Sequence, residues 1–424
     1  MQLTPERDAR PPLRVHRVEA PEVPFYRPDI GQEEIDEVVA TLRAGWLTTG
    51  PRARRFEECF RAAVGARHAV ALNSCTGALH LAVEALGLDA GAVVVVPTMT
   101  FAATAEVVRY RGAYPLLTDC DERTLHLDVA DAERRLERWP GATDLAGNVV
   151  PERVAGVIPV HVAGSMMDLD GVSRLAERHR AWVVEDAAHA FPAAWRRTER
   201  NGWRRCGEGG SRVACFSFYA NKTITTGEGG MAVTDDGELA ERIRRLSLHG
   251  LTLGAADRYS QSGRPDYEIT APGYKYNLTD IAASLGIHQV ARAESMRVRR
   301  QRIAERYLAA WHDLDELELP PVDPNRIHAW HLFPVRLHLE RLDADRDQIL
   351  VDLKERGVGC SVHWKPLHLH AYYRERYGWR PEDFPVATRV WRRLVSVPLF
   401  SAMSDAEVEH VAETVREVCR RHAR

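Results

Sequence analysis

The residue with the most chemical promise in this chain is Lys222. Lysine and arginine together number 57, yet only Lys222, Lys275, Lys354 and Lys365 are lysines, which leaves 53 arginines. Arginine stays protonated in proteins, whereas a lysine amine gives up its proton when desolvated. A lysine retained where arginine otherwise carries the positive charge suits a task that needs a free primary amine, such as attack on a carbonyl carbon. Lys222 stands between the apolar run Cys215-Phe216-Ser217-Phe218 and the stretch Thr223-Ile224-Thr225-Thr226-Gly227-Glu228-Gly229-Gly230. The glycines there let the backbone approach a neighbour closely or take positive φ angles. An isolated lysine is ordinarily a solvated surface residue; its rarity and its flanks argue otherwise here.

Two more segments supply complementary groups. Val183-Val184-Glu185-Asp186-Ala187-Ala188-His189 puts a carboxylate just beyond a buried run and an imidazole three residues later. Asn73-Ser74-Cys75-Thr76-Gly77-Ala78-Leu79 leads small polar residues into a helix, where free backbone N–H groups and the helix dipole suit a phosphate. Each piece has an ordinary reading too, Asp186 as a loop cap and Ser74 or Thr76 as an N-cap. Together they match the needs of pyridoxal 5'-phosphate (PLP): an amine for a Schiff base, an acid facing the ring nitrogen and a phosphate cradle.

These groups must be positioned by a sheet. From His68 to Asp236 short apolar runs alternate with helical stretches, as in a mostly parallel sheet covered by helices. Strands are predicted at 68–72, 93–96, 114–118, 154–159, 182–185, 213–218 and 231–234, and helices at 77–86, 102–111, 129–137 and 169–180. Ligands of such sheets bind beyond the carboxyl ends of the strands, where the groups above fall. A polar stretch, 251–264, precedes a long amphipathic pattern from Thr279 to about Trp311 that reads as a helix linking two domains. The segments 331–339, 343–356, 358–363 and 405–421 suggest a small α/β domain with its own sheet. Segments 141–152 and 196–212, rich in Gly, polar and Arg residues, read as surface insertions.

Composition bounds the rest. The chain has 424 residues, 45% hydrophobic and 28% charged, which is ordinary globular usage and allows two or three domains. A formal net charge of -3 provides no overall cationic field for a nucleic acid or an anionic membrane, and neither partner is expected. Seven scattered cysteines without a C-x-x-C pair read as reduced thiols. The first 24 residues resemble neither a secretory signal nor a transit peptide, and no apolar run is long enough to span a bilayer. The expected location is the cytoplasm.

The chain resembles the DegT/DnrJ/EryC1/StrS family of sugar aminotransferases, which have the type I PLP-dependent fold. The resemblance runs from Pro24-Phe25-Tyr26-Arg27-Pro28-Asp29-Ile30-Gly31 and Gly45-Trp46-Leu47-Thr48-Thr49-Gly50-Pro51, through 185–190 and 217–230, to Trp330-His331-Leu332-Phe333. It implies an N-terminal extension (1–24), a large PLP-binding domain with a seven-stranded, mostly parallel sheet (25–278), and a linking helix with a smaller C-terminal α/β domain (279–424). By the same resemblance Lys222 forms the Schiff base and moves protons, Asp186 faces the pyridinium nitrogen and His189 bonds the phenolic oxygen. Phe101 stacks on the ring, though simple core packing is an equal reading, and Thr76, Gly77 and Ser217 hold the phosphate. Asn277 reaches the cofactor phosphate of a partner in a homodimer with shared active sites, with Lys275 as competitor because many relatives carry Asn at that position. Cys75 stands where Gly is common.

Within the family, the stretches 264–280, 328–333 and Val362-His363-Trp364-Lys365-Pro366-Leu367-His368-Leu369-His370-Ala371-Tyr372-Tyr373-Arg374 resemble enzymes that aminate C4 of a nucleotide-linked 4-keto sugar, such as the UDP-4-amino-4-deoxy-L-arabinose aminotransferases. Substrate contacts are accordingly expected from His331, His363, Lys365, His368 and Tyr372, with structural or surface roles as the alternative for His368 and His370. No metal ligand set is expected. The implied reaction takes an amino group from an amino acid, L-glutamate being expected, through the pyridoxamine form (PMP) to the keto sugar. Rival readings are a PLP enzyme acting on a cyclitol or another keto precursor in antibiotic or polysaccharide biosynthesis, and a non-catalytic PLP-binding sensor. The deoxygenating relatives replace the Schiff-base lysine with His, which disfavours dehydration here.

Overall fold

The computed structural model describes residues 22–252 and 266–424. Most of the predicted N-terminal extension and of the polar stretch 251–264 lies outside the described residues. In chain order the first part reads α1 (Gln32–Ala44), α2 (Pro51–Val64), β1 (His68–Leu72), α3 (Cys75–Ala85), β2 (Ala92–Pro97), α4 (Ala103–Tyr110), β3 (Tyr114–Thr118), α5 (Val129–Arg138) and β4 (Arg153–Val157). It continues with α6 (Leu169–His179), β5 (Trp182–Asp186), β6 (Ala194–Trp195), β7 (Arg204–Arg205), β8 (Val213–Ser217), β9 (Gly230–Thr234) and α7 (Gly237–Ser247).

Seven strands form the main sheet in the order β1-β9-β8-β5-β4-β2-β3. Its pairs are parallel except those made by β9, which runs against both β1 and β8. All seven match the sequence expectation because each is an apolar run buried on both faces; β2 and β3, for example, are wholly buried. The nominated Cys75–Leu79, Asp186–His189 and Ser217–Lys222 segments therefore leave the carboxyl ends of β1, β5 and β8.

The long helix Asp280–Trp311 starts at an N-cap whose Thr279 side chain accepts from the Ala282 N–H. Its first half places Ala283, Ile287, Ala293 and Met296 in the core beneath the main sheet. Its second half places Ile303, Tyr307 and Trp311 in a second core with Phe333, Val335, Val395 and Val411. A three-stranded sheet, β10 (Leu317–Glu318), β12 (Phe333–Leu337) and β13 (Leu394–Val397), with helices Arg346–Glu355 and Asp405–His422, completes that second core. Residues 358–363 form no full strand; their only strand-type pairings among the described residues are the single bridges Val23–Val358 and Ser361–Ser396. The insertion at 196–212 carries β7, which pairs with β6, and β11 (Arg326–Ile327) pairs with β6 on its other side.

Candidate active site

Lys222 sits in a loop closed at both ends. Phe218 N–H donates to Gly229 O at 2.9 Å, Thr226 N–H to Phe218 O at 3.0 Å and Lys222 N–H to Tyr219 O at 2.9 Å. Gln289 of the long helix accepts from the Thr225 N–H at 3.1 Å. Below the loop, Phe60 packs against Phe191, Phe216 and Phe218 with ring centroids 4.7, 5.0 and 5.2 Å apart, contacts worth about 0.5–1.5 kcal/mol each beyond their buried area. The lysine is thus carried on a rigid base. Burial brings its amine down to about 8, against the opposing pull of the Cys75 and Asp186 charges. Such an amine has about a tenth of its population unprotonated at pH 7, far more than an ordinary lysine and enough to act as a nucleophile.

Asp186 ends β5, is 5% exposed and has both carboxylate oxygens engaged. Thr104 Oγ1 donates to Oδ2 at 2.7 Å and Ala188 N–H donates to Oδ1 at 3.2 Å. Thr104 Oγ1 also lies 2.7 Å from Thr100 Oγ1. Since Thr104 has one hydroxyl proton and the Asp186 carboxylate can only accept, Thr104 donates to Asp186 and Thr100 is the donor to Thr104, so the relay points at the acid. Burial pushes the Asp186 carboxyl up, while Thr104, Ala188 and the charges of Lys222 and His161 pull it down.

At the start of α3, Ser74 Oγ accepts from the Gly77 N–H at 3.0 Å, the N-cap expected as the alternative to a phosphate contact. The Cys75 and Thr76 amides belong to the first turn and have no intrahelical acceptor. Gly230 must be glycine here: a Cβ would stand 2.3 Å from the carbonyl carbon of Ser74. That contact brings the glycine turn after Lys222 against the head of α3.

Lys222, Asp186, Thr76, His189, Ser217, Phe101, His331 and His363 all line one cavity of about 570 Å³, a size suited to a small-molecule ligand. Phe101 presents a ring that is 62% exposed, so it is no core-packing residue. His189 and His331 are 7% and 5% exposed, their ring centroids 4.1 Å apart, and each leaves Nδ1 buried without a partner. Asn221 Oδ1 is orphaned in the same way. Burial lowers both imidazoles well below the usual range, with the Lys222 charge acting in the same direction, and takes His363 down to about 4. His363 is held by Ser396 Oγ at 3.0 Å from its Nδ1 and stacks on Phe25 at 5.2 Å.

Other nominated residues lie elsewhere. His368 is fully buried away from the cavity, with Thr98 and Thr388 hydroxyls 2.8 and 2.9 Å from its two ring nitrogens and Phe384 stacked at 4.4 Å; its placement is that of a core histidine. Lys365 is exposed over the Trp391 ring at 5.9 Å, and Tyr372 is exposed with Arg109 Nε 3.4 Å from its hydroxyl. Neither lines the cavity of this chain. Asn277 donates to Thr49 Oγ1 at 2.7 Å and accepts from the exposed Lys275 amine, and both stand outside it as well. Gly77 is buried behind its N-cap. The sequence reading passed over Thr104, Trp364 and Asn221. Trp364 stacks on His189 at 5.0 Å and 22°, and only its neighbours in the 362–374 cluster hinted at it. Thr104 gave no signal beyond its place one turn after Phe101.

The chain is similar to known proteins over most of its length. Residues 28–416 match the DegT/DnrJ/EryC1/StrS aminotransferase family. The spore coat polysaccharide biosynthesis protein SpsC of Bacillus subtilis is 42% identical over 397 residues, covering 93% of this chain and 97% of that protein. The PLP form of Spr1654, a putative sugar aminotransferase from Streptococcus pneumoniae, superposes with a TM-score of 0.82 at 30% identity, covering 94% of this chain and 99% of that one. The aminotransferase TlmJ from Streptoalloteichus hindustanus gives 0.80 at 30% identity, covering 94% and 98%.

Proposed function

The chain belongs to the DegT/DnrJ/EryC1/StrS aminotransferase family, and from that premise we propose that it moves an amino group from L-glutamate to C4 of a nucleotide-linked keto sugar. It is a PLP-dependent sugar aminotransferase of the type I fold. The observation that carries the reading is the pairing, in one cavity, of an amine brought down to about 8 with a buried acid held by a threonine relay.

The residues present fit the coenzyme. The orphaned Nδ1 of His189 and Oδ1 of Asn221 are buried polar atoms in want of a ligand, and the unbonded amides at the head of α3 suit a phosphate. When bound, PLP supplies an electron sink for the charge left when a carbon next to nitrogen loses its proton. Lys222 would hold the coenzyme through its amine and, when free, accept and return a proton at Nζ. Asp186 would keep a proton on the ring nitrogen; its oxygens, fixed by Thr104 and Ala188, cannot turn away. His189, kept neutral by burial, offers an uncharged imidazole to the phenolic oxygen. Thr76 and Ser217 would hold the phosphate, the Gly77 N–H being spent on Ser74 Oγ, and Phe101 would cover the ring.

The walls formed by His331, His363 and Trp364 suit a sugar, and in this reading the exposed Lys365 and Tyr372 would meet the nucleotide. The name of SpsC supports a role in polysaccharide precursor synthesis. In the same reading two copies share their sites, Asn277 or Lys275 of one reaching the phosphate of the other. The division at 25–278 and 279–424 and a cytoplasmic location also belong to it; the free cysteines among the described residues accord with that compartment.

The test loads the protein with PMP and adds nucleotide-linked 4-keto sugars one at a time. Return of the PLP absorption with formation of an amino sugar is the expected result, and L-glutamate should then regenerate PMP. No return with any 4-keto sugar would overturn the substrate assignment.

A further inference from the structure

Successive residues of a strand face opposite ways, so Glu185, next to Asp186 on β5, points away from the cavity and into the interior. Its side chain is fully buried, as is that of His161, and Cys206 is 1% exposed. His161 Nε2 lies 2.8 Å from Glu185 Oε2. The other ring nitrogen, Nδ1, accepts from the Met167 N–H at 3.2 Å, so in the empty site Nε2 carries the ring proton and donates it to Glu185. Glu185 Oε1 has no hydrogen-bond partner, although a buried carboxylate oxygen left unpaired is costly. One ligand atom from each of His161, Glu185 and Cys206 lies within 4.8 Å of the others.

We propose that His161, Glu185 and Cys206 form a buried site for a divalent transition-metal cation of zinc type, separate from the PLP site and structural in purpose. The donor set of one imidazole nitrogen, one carboxylate and one thiolate is of the kind zinc takes, and Oε1 is a spare fourth donor. On binding, metal–nitrogen, metal–oxygen and metal–sulfur bonds form, the thiol S–H breaks and its one proton leaves to solvent, and the ring proton of His161 passes from Nε2 to Nδ1, which gives up its bond from the Met167 N–H; nothing is oxidised or reduced. The two positive charges of the ion then balance one carboxylate and one thiolate, so the filled site is neutral where the empty one buries a carboxylate. Cys206 follows β7 and its N–H is fixed on Ala193 O at 3.0 Å. The ion would therefore tie the 196–212 insertion to the main sheet immediately behind the acid that faces the coenzyme.

The test uses the full-length, PLP-loaded protein produced in zinc-supplemented medium, dialysed against metal-free buffer and analysed for metal by mass spectrometry. About one zinc per chain is expected in the wild type, and below about 0.1 in Cys206→Val and Glu185→Gln, since losing a ligand costs more than the 10–100-fold typical of an outer-shell partner. Zinc held by the coenzyme itself would persist in both variants. Wild-type protein without zinc, or Cys206→Val retaining as much as wild type, overturns the proposal. If the variants fail to fold, cobalt-grown wild type decides: thiolate-to-cobalt charge transfer with visible d–d bands supports the site, and bound cobalt without them, or no bound cobalt, refutes it.

Discussion

Two cavities of similar size, about 570 and 620 Å³, differ in what their polar groups have left to do. In the larger one Arg326, Arg336, His126 and His328 are already spent. Arg326 Nε donates to Met166 O at 2.7 Å, and Arg336 donates to Arg123 O at 3.1 Å and pairs with Glu318 at 2.8 Å. His126 lies 3.0 Å from Ser165 O, and His328 accepts from the Trp330 N–H at 2.7 Å; burial takes both imidazoles down to about 3. In the smaller cavity His189, His331 and Asn221 each keep a buried atom without a partner, and Lys222 keeps an amine poised to lose its proton. Volume does not mark the site; unspent polar groups do.

Substitutions should separate the two cavities in graded steps. Lys222→Ala should reduce transamination by about 10⁴-fold or more, read as turnover with donor and acceptor present, because no other amine lines the cavity. Asp186→Ala should cost about 10²–10⁴-fold in kcat while PLP still binds, since the ring nitrogen would lose its proton-holding partner. Thr104→Val removes the short hydrogen bond to Oδ2 and should lower kcat about tenfold, with any pH optimum that depends on Asp186 moved upward.

A pH series addresses the amine itself. With the Lys222 amine at about 8, uptake of PLP by coenzyme-free protein should speed up about tenfold per unit as pH rises from 6 to 7 and level off above 8, because only the unprotonated amine attacks. A profile still rising steeply at pH 10 would mean that the amine is solvated. At the small end, Arg336→Met in the other cavity should leave kcat/KM within about twofold but destabilise the fold by about 3 kcal/mol in denaturant unfolding, because Glu318 would keep only Arg393 and two backbone carbonyls would lose their donor.

How much of this was legible in the sequence follows from what each residue depends on. The seven strands were legible because burial on both faces leaves an uninterrupted apolar run, and the long helix because its capping threonine and its period both survive in the text. Lys222 stood out by scarcity, and Asp186 by its place at a strand end. Thr104, Trp364 and Asn221 were not legible, since what makes them functional is a neighbour more than a turn away or a missing partner. His368 shows the reverse: the histidine-rich cluster left ligand contact and a structural role both open, and the fold spends that ring on two threonines. The pairs β6–β7 and β6–β11 were hidden because two-residue strands have no period to read.

The most direct test of the central claim is borohydride reduction of the purified, PLP-loaded protein followed by peptide mapping. With four lysines in the whole chain the outcome is unambiguous. The account predicts a single pyridoxyl label on Lys222, and a label on Lys275, Lys354 or Lys365 in its place, or none at all, would contradict it.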